Sequence, residues 1–166
     1  EVEKFNFILK DIQSVHANGD PILVVGRTVA QAKYFSDLLG KIGLNHNLLH
    51  AQLTEKEFDI VKNAGAIGAI TIATNMAGRG TDIILEPELK EINGLIVYSL
   101  EPNLSKRIDD QLRGRSGRQG SRGVSKFFAS LEDEIFQVYA DDKFWDWAEK
   151  NSWPETGVSD NRLLKF

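Results

Sequence analysis

The sequence predicts an α/β domain, a mainly parallel β-sheet flanked by helices in three layers. Three observations carry that prediction. Short apolar runs of buried-strand type alternate with segments of helical periodicity over about 130 residues, and right-handed crossovers between such units give a parallel sheet covered on both faces. The length, 166 residues, is that of one ordinary domain. A composition of 42% hydrophobic and 27% charged residues is globular. A chain of this size buries roughly 70% of its unfolded surface, so its core needs no covalent staple. Cysteine is absent, which removes disulfides, thiol nucleophiles and cysteine-based zinc sites and fits a reducing compartment. No apolar run approaches the ~18 residues of a membrane span, and no signal-peptide pattern is visible. Position 1 is Glu rather than Met, which points to a piece of a longer protein.

Each element has its own signal. Phe5, Ile8, Leu9, Ile12 and Val15 recur at three and four residues, the spacing of one helix face, and Asn18-Gly19 ends that helix. Residues 22–25, ILVV, are a short buried strand. A second helix follows Thr28, with Ala32, Phe35, Leu38, Leu39 and Ile42 inward and Gly43 as its stop. Leu48 and Leu49 are a minimal strand candidate. TEKE at 54–57 has capping-box form and opens a third helix that Gly65 ends. Residues 69–74, AITIAT, are the clearest strand, rich in β-branched side chains and followed at once by a glycine-rich loop. Residues 95–98 form another strand, 107–115 a helix and 124–131 a last strand. SLED at 130–133 caps one more helix, and 143–150 is helical. We expect the domain to occupy residues 1–140, with 141–166 as a C-terminal extension or tail.

Formal charge is −4, unevenly spread. Between Ser105 and Lys126 seven cations face only Asp109 and Asp110, so this segment carries +5 and the remainder −9. Within it, QLRGRSGRQG (residues 111–120) sets Arg113, Arg115 and Arg118 among three glycines. Each glycine weakens a helix by roughly 1 kcal/mol relative to alanine, a loss that makes sense where another surface or a phosphate chain comes close. Arginine suits planar, two-pronged recognition of phosphate oxygens. A helix continued through the segment would bring Gln111, Arg115 and Arg118 to one face, with Ile108 and Leu112 anchoring it to the sheet. The second unusual segment, TNMAGRGTD (residues 74–82), follows the clearest strand, where Gly78 and Gly80 allow close backbone approach and Arg79 and Asp82 supply one charge of each sign. The alternative is a tight turn in which Asp82 caps the backbone that follows. Both segments are expected beyond the carboxyl ends of the strands, where open α/β sheets bind ligands. His16, His46 and His50 lack metal-ligand spacing, and no metal site is expected; SLEDE (residues 130–134) reads as acids at the positive end of a helix. No G-x-x-x-x-G-K-[ST] phosphate loop occurs in the chain, so by itself it does not look like a complete catalyst.

ATNMAGRGTDI (residues 73–83) and QLRGRSGRQG resemble the fifth and sixth helicase-type motifs of the SecA family, the motor ATPases of bacterial protein secretion. GDPILVVGRTV (residues 19–29) and SLEDE resemble the opening strand and closing segment of that family's second nucleotide-binding domain, in the same order across residues 1–138. The resemblance implies a RecA-like fold supplying half of an ATP site, with the phosphate loop and the Mg2+-binding carboxylate on an absent first motor domain. It implies Arg115 and Arg118 as arginine fingers, Gly80 and Asp82 as nucleotide contacts, Arg79 as a link to the domain interface, and Gln111 as a positioning group. Its implied partners are that first domain, a SecY-type channel and exported preproteins, with no nucleic acid, in the cytoplasm against the inner face of the membrane. LEPNLS (residues 100–105) departs from the family's acid- and arginine-rich run, Ser121-Arg122 stands where Asp-Pro is common, and the segment beyond Tyr139 matches poorly. These departures imply a divergent or accessory member. The alternative reading is the C-terminal domain of a nucleic-acid helicase, which would bind single strands with strong salt dependence.

Overall fold

The computed structural model describes residues 1–49, 57–75, 82–90 and 94–150. Along the chain run α1 (Val2–His16), β1 (Ile22–Gly26), α2 (Val29–Lys41), β2 (Asn47–Leu49), α3 (Glu57–Asn63), β3 (Ile70–Thr74), α4 (Pro87–Lys90), β4 (Leu95–Ser99), α5 (Lys106–Arg113), β5 (Gly123–Phe127), α6 (Glu134–Tyr139) and α7 (Asp142–Lys150). The five strands form one sheet in the order β2-β3-β1-β4-β5, with every pairing parallel. Ile22 stands opposite Ile70 on one side and Ile96 on the other. The three-layer α/β expectation is met.

The alternation of side chains along the strands sorts the core into two layers. Ile22 and Val24, Ile70 and Ile72, and Ile96 and Tyr98 point to the face covered by α1 and α2, which contribute Phe5, Ile8, Ile12, Ala32, Phe35 and Leu39. Leu23, Val25, Ala73, Leu95 and Val97 point to the opposite face, where Val61, Leu85 and Leu112 cover them. Strands β1, β3 and β4 are buried at every position, as strands with helices on both sides must be. At the edge, β5 is partly exposed. A third, smaller cluster around Phe136, Phe144 and Ala148 joins α6 to α7 across Ala140.

Several boundaries differ from expectation. Helix α2 stops at Lys41, so Ile42 becomes its C-cap and faces solvent at 39% exposure instead of packing inward. Strand β5 ends at Phe127, four residues early, and the chain turns at Ser130. Asp133, not Ser130, is the N-cap of α6, and its carboxylate bends back to accept the Ser130 N–H at 2.7 Å. The other oxygen accepts from Lys4 Nζ at 2.5 Å, with both side chains almost fully buried. Of the capping box expected at 54–57, residues 54–56 lie outside the described residues, as do the tail from 151 onward and His50, while Glu57 opens α3. Among the described residues no helix is long and apolar enough to cross a membrane.

Candidate functional site

Parallel topology decides where the arginines go. Helix α5 leaves the carboxyl end of β4 and must return to the amino end of β5, so it runs antiparallel to the strands. Residues 82–86 make the same journey: Asp82 follows the loop beyond β3, while the Glu86 N–H donates to the Gly65 carbonyl ahead of β3 at 3.2 Å. Both segments therefore cross one face of the sheet. Arg115 and Arg118, which follow α5, border a shallow cleft with Asp82, Ile83, Leu85 and Leu95. The arginines therefore border the face that this crossing covers, rather than lying wholly beyond the carboxyl ends of the strands as the general rule for open sheets predicts. Arg118 lies beside Leu95 at the start of β4, and Arg115 also lines a cavity with Val25, Leu49, Ala73 and Thr74 toward the carboxyl ends of β1, β2 and β3.

Nor does the helix carry them. It ends at Arg113, with Gly114 as its C-cap, and Gly117 turns the chain left-handed at φ 67° before a short 3-10 turn from Arg118 to Gly120. The face expected to join Gln111, Arg115 and Arg118 is thus broken by the glycines themselves. Arg115 and Arg118 still converge, because the turn folds them onto one cleft. Gln111 remains on α5, exposed and outside the residues that line it. Arg79 and Gly80, with the rest of 76–81, lie outside the described residues.

Arg118 is held from two sides. Its Nε donates to the Gly114 carbonyl at 2.5 Å, and its Nη1 pairs with the Asp82 carboxylate. Arg118 is therefore ion-paired with the acid of the other motif, and Asp82 serves this pair. Arg115 is only partly exposed, and burial pulls its guanidinium pKa below the ordinary value, helped by the neighbouring Arg118 charge and opposed by Asp82. Among the described residues that line the cleft the charged side chains are Arg115, Arg118 and Asp82, and paired guanidinium groups suit a phosphate-bearing ligand.

The loop between α5 and β5 lies on a close-fitting bed. Ser116 Oγ is 2.8 Å from Ser125 Oγ and donates to the Arg113 carbonyl at 3.0 Å. A side chain at Gly123 would collide with Ser116 and the Gly117 nitrogen, and one at Gly94 would collide with the Arg122 carbonyl. Arg113 belongs to this packing, its guanidinium carbon 4.4 Å from the Phe127 ring centroid.

Two polar arrangements at the carboxyl end of the sheet carry no signal in local sequence. Arg27, just past β1, pairs with Glu101 beyond β4 and with Glu134 of α6, while Gln31 Nε2 donates to Glu101 at 3.1 Å. Asn75, first residue after β3, donates through Nδ2 to Asn103 Oδ1 at 2.5 Å. Asn103 in turn donates to Asp109 Oδ1 of α5 through its backbone N–H at 3.1 Å and its Nδ2 at 2.7 Å. The acids of SLEDE are engaged likewise, Asp133 with Lys4 and Glu134 with Arg27.

The sequence matches the family described as "SecA P-loop domain" over residues 1–93 and 86–156. The "Protein translocase subunit SecA" of Thermosipho melanesiensis is 48% identical over 143 residues, 86% of this chain and 17% of that protein. The protein of the same name from Campylobacter hominis is 43% identical over 164 residues, 99% of this chain and 19% of that protein. The chain thus spans less than a fifth of these relatives' length. Similarity reaching residue 156 and beyond corrects the expectation that the segment after Tyr139 departs from the family. Among solved structures, the E. coli DEAD-box protein SrmB, crystallised with regulator of ribonuclease activity A, superposes with a TM-score of 0.63 at 16% identity, over 84% of this chain and 80% of that one. At that identity the likeness is one of fold, the RecA-like architecture of helicase motor domains.

Proposed function

The chain belongs to the SecA P-loop domain family, and from that premise we propose that it is the second motor domain of a SecA-type translocase ATPase. In this reading the domain supplies half of an ATP site, and the first motor domain of the same protein supplies the phosphate loop and the Mg2+ ligands. Arg115 and Arg118 are arginine fingers; Asp82 and Gly80 contact nucleotide, Arg79 links that loop to the domain interface, and Gln111 positions its neighbours. Residues 1–140 form the motor domain proper, and 141–166 are its extension. The wider partners are a SecY-type channel and exported preproteins, met by a cytoplasmic protein at the inner face of the membrane.

One observation carries the reading. Arg115, Arg118 and Asp82 come from two motifs far apart in sequence, yet border a single cleft in which burial disfavours a cation. ATP supplies the scissile γ-phosphoryl bond when bound. The chain's residues bind and orient. Arg118 exchanges its contact with half-exposed Asp82 for phosphate oxygen, and the phosphate charge offsets the burial that disfavours the Arg115 cation. Guanidinium groups that meet charge as it develops are worth on the order of 10³–10⁵ in rate. Lacking a phosphate loop, the isolated chain should turn over ATP negligibly.

The test is Arg118→Ala in the complete protein. We expect kcat for ATP hydrolysis to fall by about 10³-fold or more, with ATP affinity changed less than about threefold. Equal losses in both would make Arg118 an ordinary binding residue and sink the assignment.

A further inference from the structure

Asn75 and Asp82, the described residues on either side of 76–81, are each tied to the arginine-bearing segment. At the far end Asp82 pairs with Arg118, which is also bound to the Gly114 carbonyl at the end of α5. At the near end Asn75 reaches α5 through Asn103 and Asp109. Both ties therefore join the same two pieces of chain, one at the carboxyl end of the sheet and one further along its face. Resting on the reading of Arg118 given above, we propose that Asn75, Asn103 and Asp109 form a positioning relay that sets α5 and its following turn relative to the nucleotide-facing loop, so that Arg118 meets phosphate in register.

The relay has a fixed direction. A carboxylate has no proton to give, so Asp109 only accepts. Asn103 must then turn its NH2 group toward Asp109, which leaves its carbonyl facing Asn75, and Asn75 in turn must donate. One negative charge thus orients two amides in series. Asn103 and Asp109 are 5% and 8% exposed, so water does not compete freely for these bonds, and an unpaired partner would carry a desolvation penalty. A mere surface hydrogen bond would not need this polarity, nor tie together two motifs that meet at Arg118.

The direction of the chain makes the idea testable in the complete protein. Asn75→Asp sets a carboxylate against the Asn103 carbonyl and should lower kcat for ATP hydrolysis on the order of tenfold to a hundredfold, the scale of a misplaced catalytic group, with KM for ATP within about twofold. Asp109→Asn cannot reverse the chain, because the oxygen it would replace also accepts the Asn103 backbone N–H. The second variant is therefore Asn75→Leu, which keeps the branched shape and removes the donor without adding charge. Asn75→Leu should lower kcat by less than Asn75→Asp does, yet by at least about threefold from the parent, again with KM within about twofold. Should Asn75→Asp not fold, Asn103→Ala gives the same reading, a fall in kcat with KM unmoved. Parental kcat in these variants, or a parallel rise in KM, would overturn the relay alone. If Arg118→Ala itself leaves kcat unchanged, the assignment of the cleft fails, and the relay with it.

Discussion

Arg118 rests on Asp82 across 36 positions of chain, with the two side chains 48% and 50% exposed. An ion pair so open to water is held weakly, because solvent screens it and two mobile side chains must be ordered to form it. It brings the two motifs together without locking either. Asp82→Asn should therefore lower the unfolding free energy by less than about 1 kcal/mol, as read by urea titration. A larger loss would mean that the pair is a structural strut rather than a resting contact.

Of the seven cations in the basic segment, Arg115 and Arg118 border the cleft with Asp82, and the proposed ligand there is a nucleotide rather than a strand. Gel-shift titration of the chain with single-stranded RNA at about 150 mM salt should give no complex with a Kd below about 1 μM. A tight, steeply salt-dependent complex would restore the helicase reading.

Gly94→Ala should destabilise the fold by about 2–4 kcal/mol, since its φ is 66° and an added Cβ would run into the Arg122 carbonyl. Gly43→Ala is the control. Its φ is similar at 75° but nothing lies within 4 Å, so only the backbone penalty of about 1–2 kcal/mol remains. Thermal or urea unfolding of the two variants separates collision from strain, and equal losses would contradict the tight bed.

Burial holds the Asp133 carboxyl above the usual range, with Lys4 pulling it the other way. A carboxyl whose folded pKa is raised contributes stability that is full below its unfolded value of about 3.9 and is lost as pH rises through the folded value. Asp133→Asn lacks that loss. The variant should be the less stable throughout, because its bond from the Ser130 N–H is weakened, but its deficit should narrow as pH rises above about 4. Urea unfolding at several pH values checks this, and a widening deficit would mean that the Lys4 pair outweighs burial.

Much of the fold was legible because buried parallel strands announce themselves. ILVV in β1 and AITIAT around β3 are apolar and β-branched on both faces, and the stripe of Phe5, Ile8 and Ile12 has only one helical reading. What was illegible has long-range or polar causes. Nothing local says that α5 stops at Arg113, because the glycines that stop it also looked like a ligand-facing surface. Ile42 read as apolar and inward, yet one residue beyond the last helical turn it faces solvent. Lys4 with Asp133, and Asn75 with Asn103 and Asp109, are partners only through the fold, and no periodicity marks a polar pair that lies 28 or 129 positions apart. The two motifs did mark Arg115, Arg118 and Asp82 as candidates, but it took the antiparallel course of α5 to fix which side of the sheet they occupy.

The glycines beneath the arginine loop have a mechanical consequence. With Gly94 lying against Arg122 and Gly123 against Ser116, the main chain there has no slack in which to sink or slide. Any travel needed to meet a ligand must come from guanidinium tips swinging on their own carbon stems, above a stiff floor. Stroke length in such a device is set by the reach of an arginine, and the sheet below serves as its anvil.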